Sequence, residues 1–457
     1  MRTRAWGAGP FLLIAVSSLA CAALVPRAAA AQTVARPSPP ALSLQDLEGM
    51  ALEQNPTLPQ ARASIRAAEG RETQAGLYPN PLVGYEAEEI NTRDPGRFKN
   101  FFWLQVPIVT AGKLQLSRDL AASHRQQAET TAEMQRLRVL TTVRALYYEA
   151  LGAARLVDLR RELATLVREA VGVSGELFNV GQADRPDVLD IEMQSQRAEL
   201  ELIKAESHQR RIWRILAASV GNPLLPLSPL DGDLERNIPV IDREAVIARV
   251  FGESPDVRLA RVNVERARAA LARVRAERIP NLFVRTKLGY NAEPFASGKD
   301  VGFEAGVEIG VPLPLFDRKQ GNLKSAEADV EHAQAEVRRL ELTLHTQIET
   351  ALKGYEDARV DVERYREQIL PRAQQSYELY RRGFQQMAAA YPQVLIAQRA
   401  LYQARVEYTQ ALVDLWRGHA LLQGMLLGGG LEAPSHTAVQ PPPRTGHVPA
   451  PAGRTLD

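Results

Sequence analysis

The strongest constraint on this chain is that it repeats itself. Five short anchors recur in the same order about 200 residues apart, as in a duplicated unit. Asn55-Pro56 corresponds to Ser254-Pro255, and Tyr78-Pro79-Asn80-Pro81 to Arg278-Ile279-Pro280-Asn281. Gln105-Val106-Pro107 corresponds to Gly310-Val311-Pro312, Leu177-Phe178-(x)2-Gly181 to Leu379-Tyr380-(x)2-Gly383, and Pro186-Asp187-Val188-Leu189 to Pro392-Gln393-Val394-Leu395. Each unit reads helix, strand, strand, long helix, tight turn, returning helix. The first spans 43–220 and the second 242–427. Residues 221–241, rich in Pro, form an irregular linker. Residues 428–457, rich in Pro, Gly and Ala, are expected to be a disordered tail.

The long helices carry a coiled-coil period. Leu156, Leu159, Leu163, Leu166, Ala170, Val173 and Leu177 step by 3 and 4. Val330, Ala333, Val337, Leu340 and Leu344 do the same, step by four to Ile348, and resume as Ala351, Tyr355, Ala358, Val362, Tyr365 and Ile369. That step is a stutter, which relaxes supercoiling. The returning helices match, with Val188, Ile191, Ser195, Ala198, Leu202 and Ala205, then Val394, Ala397, Leu401, Ala404, Tyr408, Ala411 and Leu415. A fully helical 112–178 would run roughly 100 Å at 1.5 Å per residue, so these helices must project beyond a globular body. Pro371 falls inside the second long helix and predicts a bend.

Between the helices lie four strands, expected at about 81–91, 100–109, 281–291 and 301–311. Val301, Phe303, Ala305, Val307, Ile309 and Val311 share one face, and Gly302, Glu304, Gly306, Glu308 and Gly310 the other. Leu282, Val284, Thr286, Leu288 and Tyr290 oppose Arg285 and Lys287, and Val83, Tyr85 and Ala87 oppose Glu86 and Glu88. Phe101, Phe102, Trp103 and Leu104 follow in the next strand. Alternation over about 11 residues fits a tilted membrane strand, apolar to lipid and polar to a lumen. A half-buried soluble sheet alternates too.

The N-terminus favours the membrane. Arg2 and Arg4 precede an apolar core from Phe11 to about Val25, and Ala29-Ala30-Ala31 fits a signal-peptidase site, making 1–31 a signal peptide. Losing Arg2, Arg4 and Arg27 takes the formal charge from +2 to −1. The single cysteine, Cys21, lies in that core and excludes an intramolecular disulfide. Ser18-Leu19-Ala20-Cys21 loosely resembles a lipoprotein box, so Cys21 is either discarded with the signal or lipidated. No basic run or acidic tail points to nucleic acid. After residue 31 no apolar stretch reaches transmembrane-helix length, so entry into a membrane requires a closed β-barrel. Four strands cannot enclose water, and open edges fail in lipid. The chain must therefore oligomerise. Three copies would supply twelve strands, although two or four copies also satisfy the arithmetic. The expected fold is mainly α with a pair of β-hairpins, a long coiled-coil barrel continuing a β-barrel shared between protomers.

The tandem unit, Tyr78-Pro79-Asn80-Pro81 before the first hairpin and Val311-Pro312-Leu313-Pro314-Leu315-Phe316-Asp317-Arg318-Lys319-Gln320-Gly321-Asn322 after the second resemble the TolC family of outer-membrane factors over residues 43–427. Pro312 and Pro314 would end a strand, and Asp317 could cap the next helix. That stretch and Ala111-Gly112-Lys113 look most like the heavy-metal cation efflux (CzcC-like) branch. The resemblance implies a homotrimer in outer-membrane lipid with a periplasmic helical tunnel. It implies docking to a periplasmic adaptor and, through it, to a proton-driven RND-type inner-membrane pump. The docking tips map to Gly181, Gln182, Asp184 and Arg185, and to Gly383, Phe384, Gln385 and Gln386. Gly181 and Gly383 match the family's tip glycines.

No catalytic or metal-binding constellation is visible, and no cofactor is implied. His124, His208, His332, His345, His419, His436 and His447 are scattered without metal-ligand spacing. Glu86, Glu88, Arg285, Lys287, Glu304 and Glu308 are candidates for a barrel lumen of mixed sign. The expected function is passive export of divalent heavy-metal cations. A multidrug or type I secretion duct and a non-transport envelope coiled coil are the alternatives.

Overall fold

The computed structural model describes residues 41–90, 98–181, 183–294 and 298–433. The signal segment with Cys21, the tip residue Gln182, and residues 434–457 with His436 and His447 lie outside them.

Each repeat opens with a broken helix. In the first, α1 (Leu44–Gln54) starts on a capping box, Ser43 and Asp46 each bonding the other's backbone N–H. Pro56 then interrupts the helix. Asn55 Oδ1 accepts from the N–H of Thr57 (3.0 Å), which begins α2 (Thr57–Ala75). In the second, Asp242 caps α5 (Arg243–Glu253), and Pro255 enters the first turn of α6 (Pro255–Glu277), where a missing N–H costs nothing.

Hairpins follow, β1 (Leu82–Glu88) with β2 (Lys99–Ile108), and β3 (Leu282–Pro294) with β4 (Asp300–Gly310). They join through β2 and β3 into one antiparallel sheet, order β1-β2-β3-β4. β1 is shorter and β3 longer than expected.

The outgoing helix α3 (Lys113–Asn179) has 67 residues, about 100 Å of helix, and α4 (Arg185–Val220) returns beside it. In the second repeat α7 (Gln320–Arg364) passes into a π turn (Tyr365–Ile369), then α8 (Leu370–Gln385), and α9 (Tyr391–Gln423) returns. The expected disturbance at Pro371 takes the form of this π turn. The N–H of Leu370 reaches back to Tyr365 O, which absorbs the donor Pro371 lacks.

Each repeat has its own core at the level of the short helices. Leu47, Val139, Val143, Ile212, Leu216 and Val220 fill the first, and Val250, Leu344, Ile348, Leu352, Leu415 and Leu422 the second. The linker wraps both and is held by buried aromatic tips. The indole N–H of Trp213 donates to Leu225 O (3.0 Å), and that of Trp416 to Leu234 O (2.9 Å). Tyr355 Oη donates to Pro239 O (2.6 Å), and Tyr147 Oη to Asp231 O. Tyr148 stacks on Trp416 at 4.4 Å and ties the two cores together.

The α9 seam is as the period predicts, with all seven positions from Val394 to Leu415 buried. In α3 only Leu159 and Ala170 of the predicted seven are buried, while Val157, Ala164, Val167 and Ser174 are buried beside them. The reason is that this stretch of α3 packs against both α4 and α9, Ala164 and Val167 with Ala198, and Ala170 with Ile191 and Leu395. The deepest line therefore lies between its two seams.

Two further expectations are corrected. The tail does not start at Gly428. Gly430 N–H donates to Thr142 Oγ1 (3.0 Å), and its carbonyl accepts from Gln135 Nε2 (3.3 Å), so the chain packs on α3 through residue 433. Asp317 does not cap α7. Its Oδ1 accepts from Lys319 N–H (2.9 Å) in a local turn, and Lys319, at φ +62°, occupies the cap position.

Candidate functional site

The sheet has two unlike faces, and the register decides which residue belongs to which. Tyr85, Phe102, Leu288 and Ala305 are cross-strand neighbours, as are Val106, Val284 and Ile309. This apolar face is open. Phe303 is 81% exposed, Val307 72%, Ile309 71% and Phe102 70%. On a single chain that much contiguous apolar surface marks a face meant to be covered.

All six charged candidates, Glu86, Glu88, Arg285, Lys287, Glu304 and Glu308, lie on the opposite face. Arg285 is its hub. The guanidinium donates through Nε and Nη2 to Gln105 Oε1 (3.1 and 2.8 Å), pairs with Glu308 (3.6 Å) and stacks 5.0 Å above Trp103. Lys287 Nζ sits 4.5 Å over Phe101. Asn291 Nδ2 donates to Glu304 Oε1 (3.2 Å). Glu86 and Glu88, on the edge strand, make no ion pair among the described residues.

Phe101, Trp103, Gln105 and Asn291 on this face were not assigned by sequence reasoning. The Phe101-Phe102-Trp103-Leu104 run puts apolar residues on both faces and hides the alternation. The usable signal is glycine. Trp103 lies over Gly84, where a Cβ would come within 2.3 Å of the indole, and Phe283 lies over Gly310 in the same way. Large rings on this face need an empty position across the strand.

The helix turns differ from each other. In the first, α3 ends at Asn179, Gly181 takes φ +74°, and Asp184 precedes α4, whose first residues are Arg185 and Pro186. In the second, α8 runs on through Gly383, Phe384 and Gln385, and the chain turns over Gln386–Ala390. The positive-φ residue there is Met387 (φ +57°), not Gly383. Gly383 matters for space instead, because a Cβ there would lie 3.1 Å from Ala389 Cβ. Phe384 packs on Tyr391 at 5.0 Å and closes the turn. Of the tip candidates, Gly181, Asp184 and Gln386 are in turns, while Arg185, Gly383, Phe384 and Gln385 are in the flanking helices.

At the base of α3, Ala111 and Gly112 both take positive φ and swing Lys113 inward. Its ammonium donates to Asn281 Oδ1 (2.6 Å), Thr110 Oγ1 (3.2 Å) and Ile279 O, joining the repeats where strands become helices. Burial holds its pKa below the usual lysine value, and the Arg273 charge acts in the same direction.

Among the described residues no three His, Cys, Asp or Glu side chains are grouped to hold a metal ion. Nor is any helix among them long and apolar enough to cross a membrane.

Comparison with known proteins agrees with this geometry. The chain is 26% identical to the cobalt-zinc-cadmium resistance protein CzcC of Cupriavidus metallidurans over 385 residues, 84% of this chain and 90% of that protein. The fold is that of solved outer-membrane channels. The open-state MtrE channel of Neisseria gonorrhoeae superposes with a TM-score of 0.70 at 17% identity, covering 86% of this chain and 91% of that one. The outer membrane protein VceC of Vibrio cholerae gives 0.68 at 21% identity, covering 85% and 97%. The sequence profile described as outer membrane efflux protein matches twice, at residues 47–222 and 246–423, once on each repeat. The chain belongs to the outer membrane efflux protein family.

Proposed function

We propose that this chain is the outer-membrane duct of a tripartite efflux system that exports divalent heavy-metal cations. In this reading it works as a homotrimer. The observation that carries the duct reading is the sheet. It has one broadly exposed apolar face, one charged face and unpaired outer edges on β1 and β4. Lipid is the cover that the apolar face fits, and closure with further copies is what the edges need. The charged face then lines water, and Glu86, Glu88, Arg285, Lys287, Glu304 and Glu308 keep the lumen wet. The long hairpins α3–α4 and α7–α9 reach into the periplasm. Their tips meet an adaptor and, through it, a proton-driven RND-type pump.

The metal substrate is supported by the cobalt-zinc-cadmium resistance protein among the relatives. A duct needs no tight ligation, because tightly bound ions leave slowly. The test is deletion followed by challenge with cobalt, zinc, cadmium, nickel, copper and several drugs, with the partner pump expressed. Metal sensitivity with unchanged drug tolerance is expected. Drug sensitivity alone would favour the multidrug reading, and a soluble monomer would sink the duct.

A further inference from the structure

The internal duplication supplies a template for a contact the single chain cannot make. Within the chain, the first hairpin meets the second through β2 and β3. In an assembly, the free edge of β4 must meet the free edge of a copy's β1. Because β4 repeats β2 and β1 repeats β3, the first junction gives the register of the second.

The correspondence is set by the hairpins. Leu82 opposite Gln105 corresponds to Phe283 opposite Gly310, and Val83 opposite Leu104 to Val284 opposite Ile309. This places Pro79-Asn80 on Pro280-Asn281, one residue along from the alignment of the sequence anchors, and Pro107 on Pro312, identical residues in each case. Carrying the β2–β3 register across turns the pair Trp103 and Lys287 into Glu308 and Glu86, and the pair Leu104 and Thr286 into Ile309 and Tyr85.

We propose that β4 pairs antiparallel with β1 of a second copy in this register, Glu308 opposite Glu86 of the partner subunit, so that carboxylates collect at the protomer seams. The proposal rests on the duct reading above.

Three observations converge on it. First, the faces match. Val307, Ile309 and Val311 meet the partner's Ala87, Tyr85 and Val83, which continues the apolar face, whereas a one-residue slip would carry Glu308 to the lipid side. Second, the carboxylates that would meet there are the ones left over. Among the described residues, Glu86 and Glu88 have no ion pair. The row running Arg285, Glu308, the partner's Glu86 sets one cation beside the two acids, and Arg285 already lies 3.6 Å from Glu308. Lys287 and Gly306 lead in the same way to the partner's Glu88. On the charged face, cations and aromatic rings therefore stay on β2 and β3, and acids mark the borders.

Third, the junction below the sheet is half-made. Asn281 receives Lys113 and Thr110 from the neighbouring repeat. Asn80, in the matching place, is exposed and makes no side-chain hydrogen bond among the described residues. The turn that would reach it from the next copy is Asp317–Gln320. Its Lys319 repeats Gly112, each at positive φ one residue before a long helix.

The test is disulfide trapping in outer membranes of cells making the full chain. The double variants Tyr85→Cys with Ile309→Cys and Glu86→Cys with Glu308→Cys sample adjacent rows, one of which has the closer spacing that favours a bond. After mild oxidation, at least one is expected to shift from monomer to a covalent oligomer on non-reducing gels and to revert with thiol. The pairs Tyr85→Cys with Val307→Cys and Tyr85→Cys with Val311→Cys, displaced by two, should stay monomeric. Bonding of a displaced pair, or of none while lysine-reactive cross-linking still yields an oligomer, overturns the register and leaves the duct reading intact. Absence of any oligomer with both chemistries overturns the duct reading itself.

Discussion

Lys113 Nζ lies 2.6 Å from Asn281 Oδ1, which binds the base of the first long helix to the start of the second hairpin. The ammonium is buried, and its second and third partners are Thr110 Oγ1 and Ile279 O. Lys113→Met keeps the stem and removes the donor. Asn281, which keeps the Thr110 N–H, and the Ile279 carbonyl would each lose a hydrogen bond, at a cost of about 0.5–1.5 kcal/mol per bond. Lower thermal stability of the detergent-solubilised oligomer is the expected result, with single-channel conductance unchanged. Altered conductance would mean that Lys113 faces the transport path.

Trp213 and Trp416 perform one task in two repeats, each donating its indole N–H to a linker carbonyl. Replacing either by Phe keeps most of the packing and orphans Leu225 O or Leu234 O, at about 1–2 kcal/mol. The two sit in different cores, so the double variant should lose the sum. Limited proteolysis within 221–241 provides the measurement, with faster cleavage expected for each single variant and fastest for the double.

How much of this was legible in the sequence depended on whether one element or several determined each feature. The α9 seam was readable because that stripe, from Val394 to Leu415, is buried along its whole length. The face assignment of Glu304 and Glu308 was readable because alternation in β4 is unbroken. The buried line of α3 was not, since two neighbouring helices set it jointly. The pairing of Trp103 with Gly84 needs a strand register that no local pattern contains. The packed segment at Gly430 is held by Thr142 and Gln135, nearly three hundred residues away in the chain. Gly383 aligns with Gly181 in sequence, yet the two differ in backbone, because α8 continues through Gly383 to Gln385 and Met387 takes the positive φ.

Gly84 leaves room for the indole that carries Arg285. Gly84→Val would drive a side chain into Trp103 and displace the guanidinium from its bonds to Gln105. Overpacking of this kind costs about 1–3 kcal/mol. Oligomer yield in outer membranes should fall. Adding Trp103→Ala should restore part of it, because the clash then has no second partner, and a double-mutant cycle measures the coupling. Additive losses would show that the ring does not depend on Gly84.

Acid should weaken the helical body through two histidines. Burial depresses the pKa of His124 and of His419 below 6.5, helped at His124 by Arg266 and at His419 by Arg249 and Arg144. The unfolded chain takes up these protons more readily than the folded one. Their stabilising contribution is therefore full above about pH 6.5 and declines as pH falls below it. Asp256, whose pKa burial raises, acts in the opposite sense, but only in the lower carboxylate range. Thermal unfolding midpoints should drop between pH 7 and pH 5, with a shallower slope in His419→Gln. An equal slope would remove His419 from the account.

The two helix turns should respond differently to the same substitution. Gly181 has open space around it but needs positive φ, so Gly181→Val strains the backbone, by about 1–2 kcal/mol. Gly383 has ordinary helical surroundings but little space, with Ala389 Cβ 3.1 Å from where its own Cβ would be. Gly383→Ala should be mild, since Ala389 need move only a few tenths of an ångström, whereas Gly383→Leu should push the Gln386–Ala390 turn away from α8. If the turns dock an adaptor, the Gly181→Val, Gly383→Leu double variant keeps its oligomer and loses efflux, and adaptor cross-linking falls with it. Normal metal efflux in that variant would remove the turns from the docking surface.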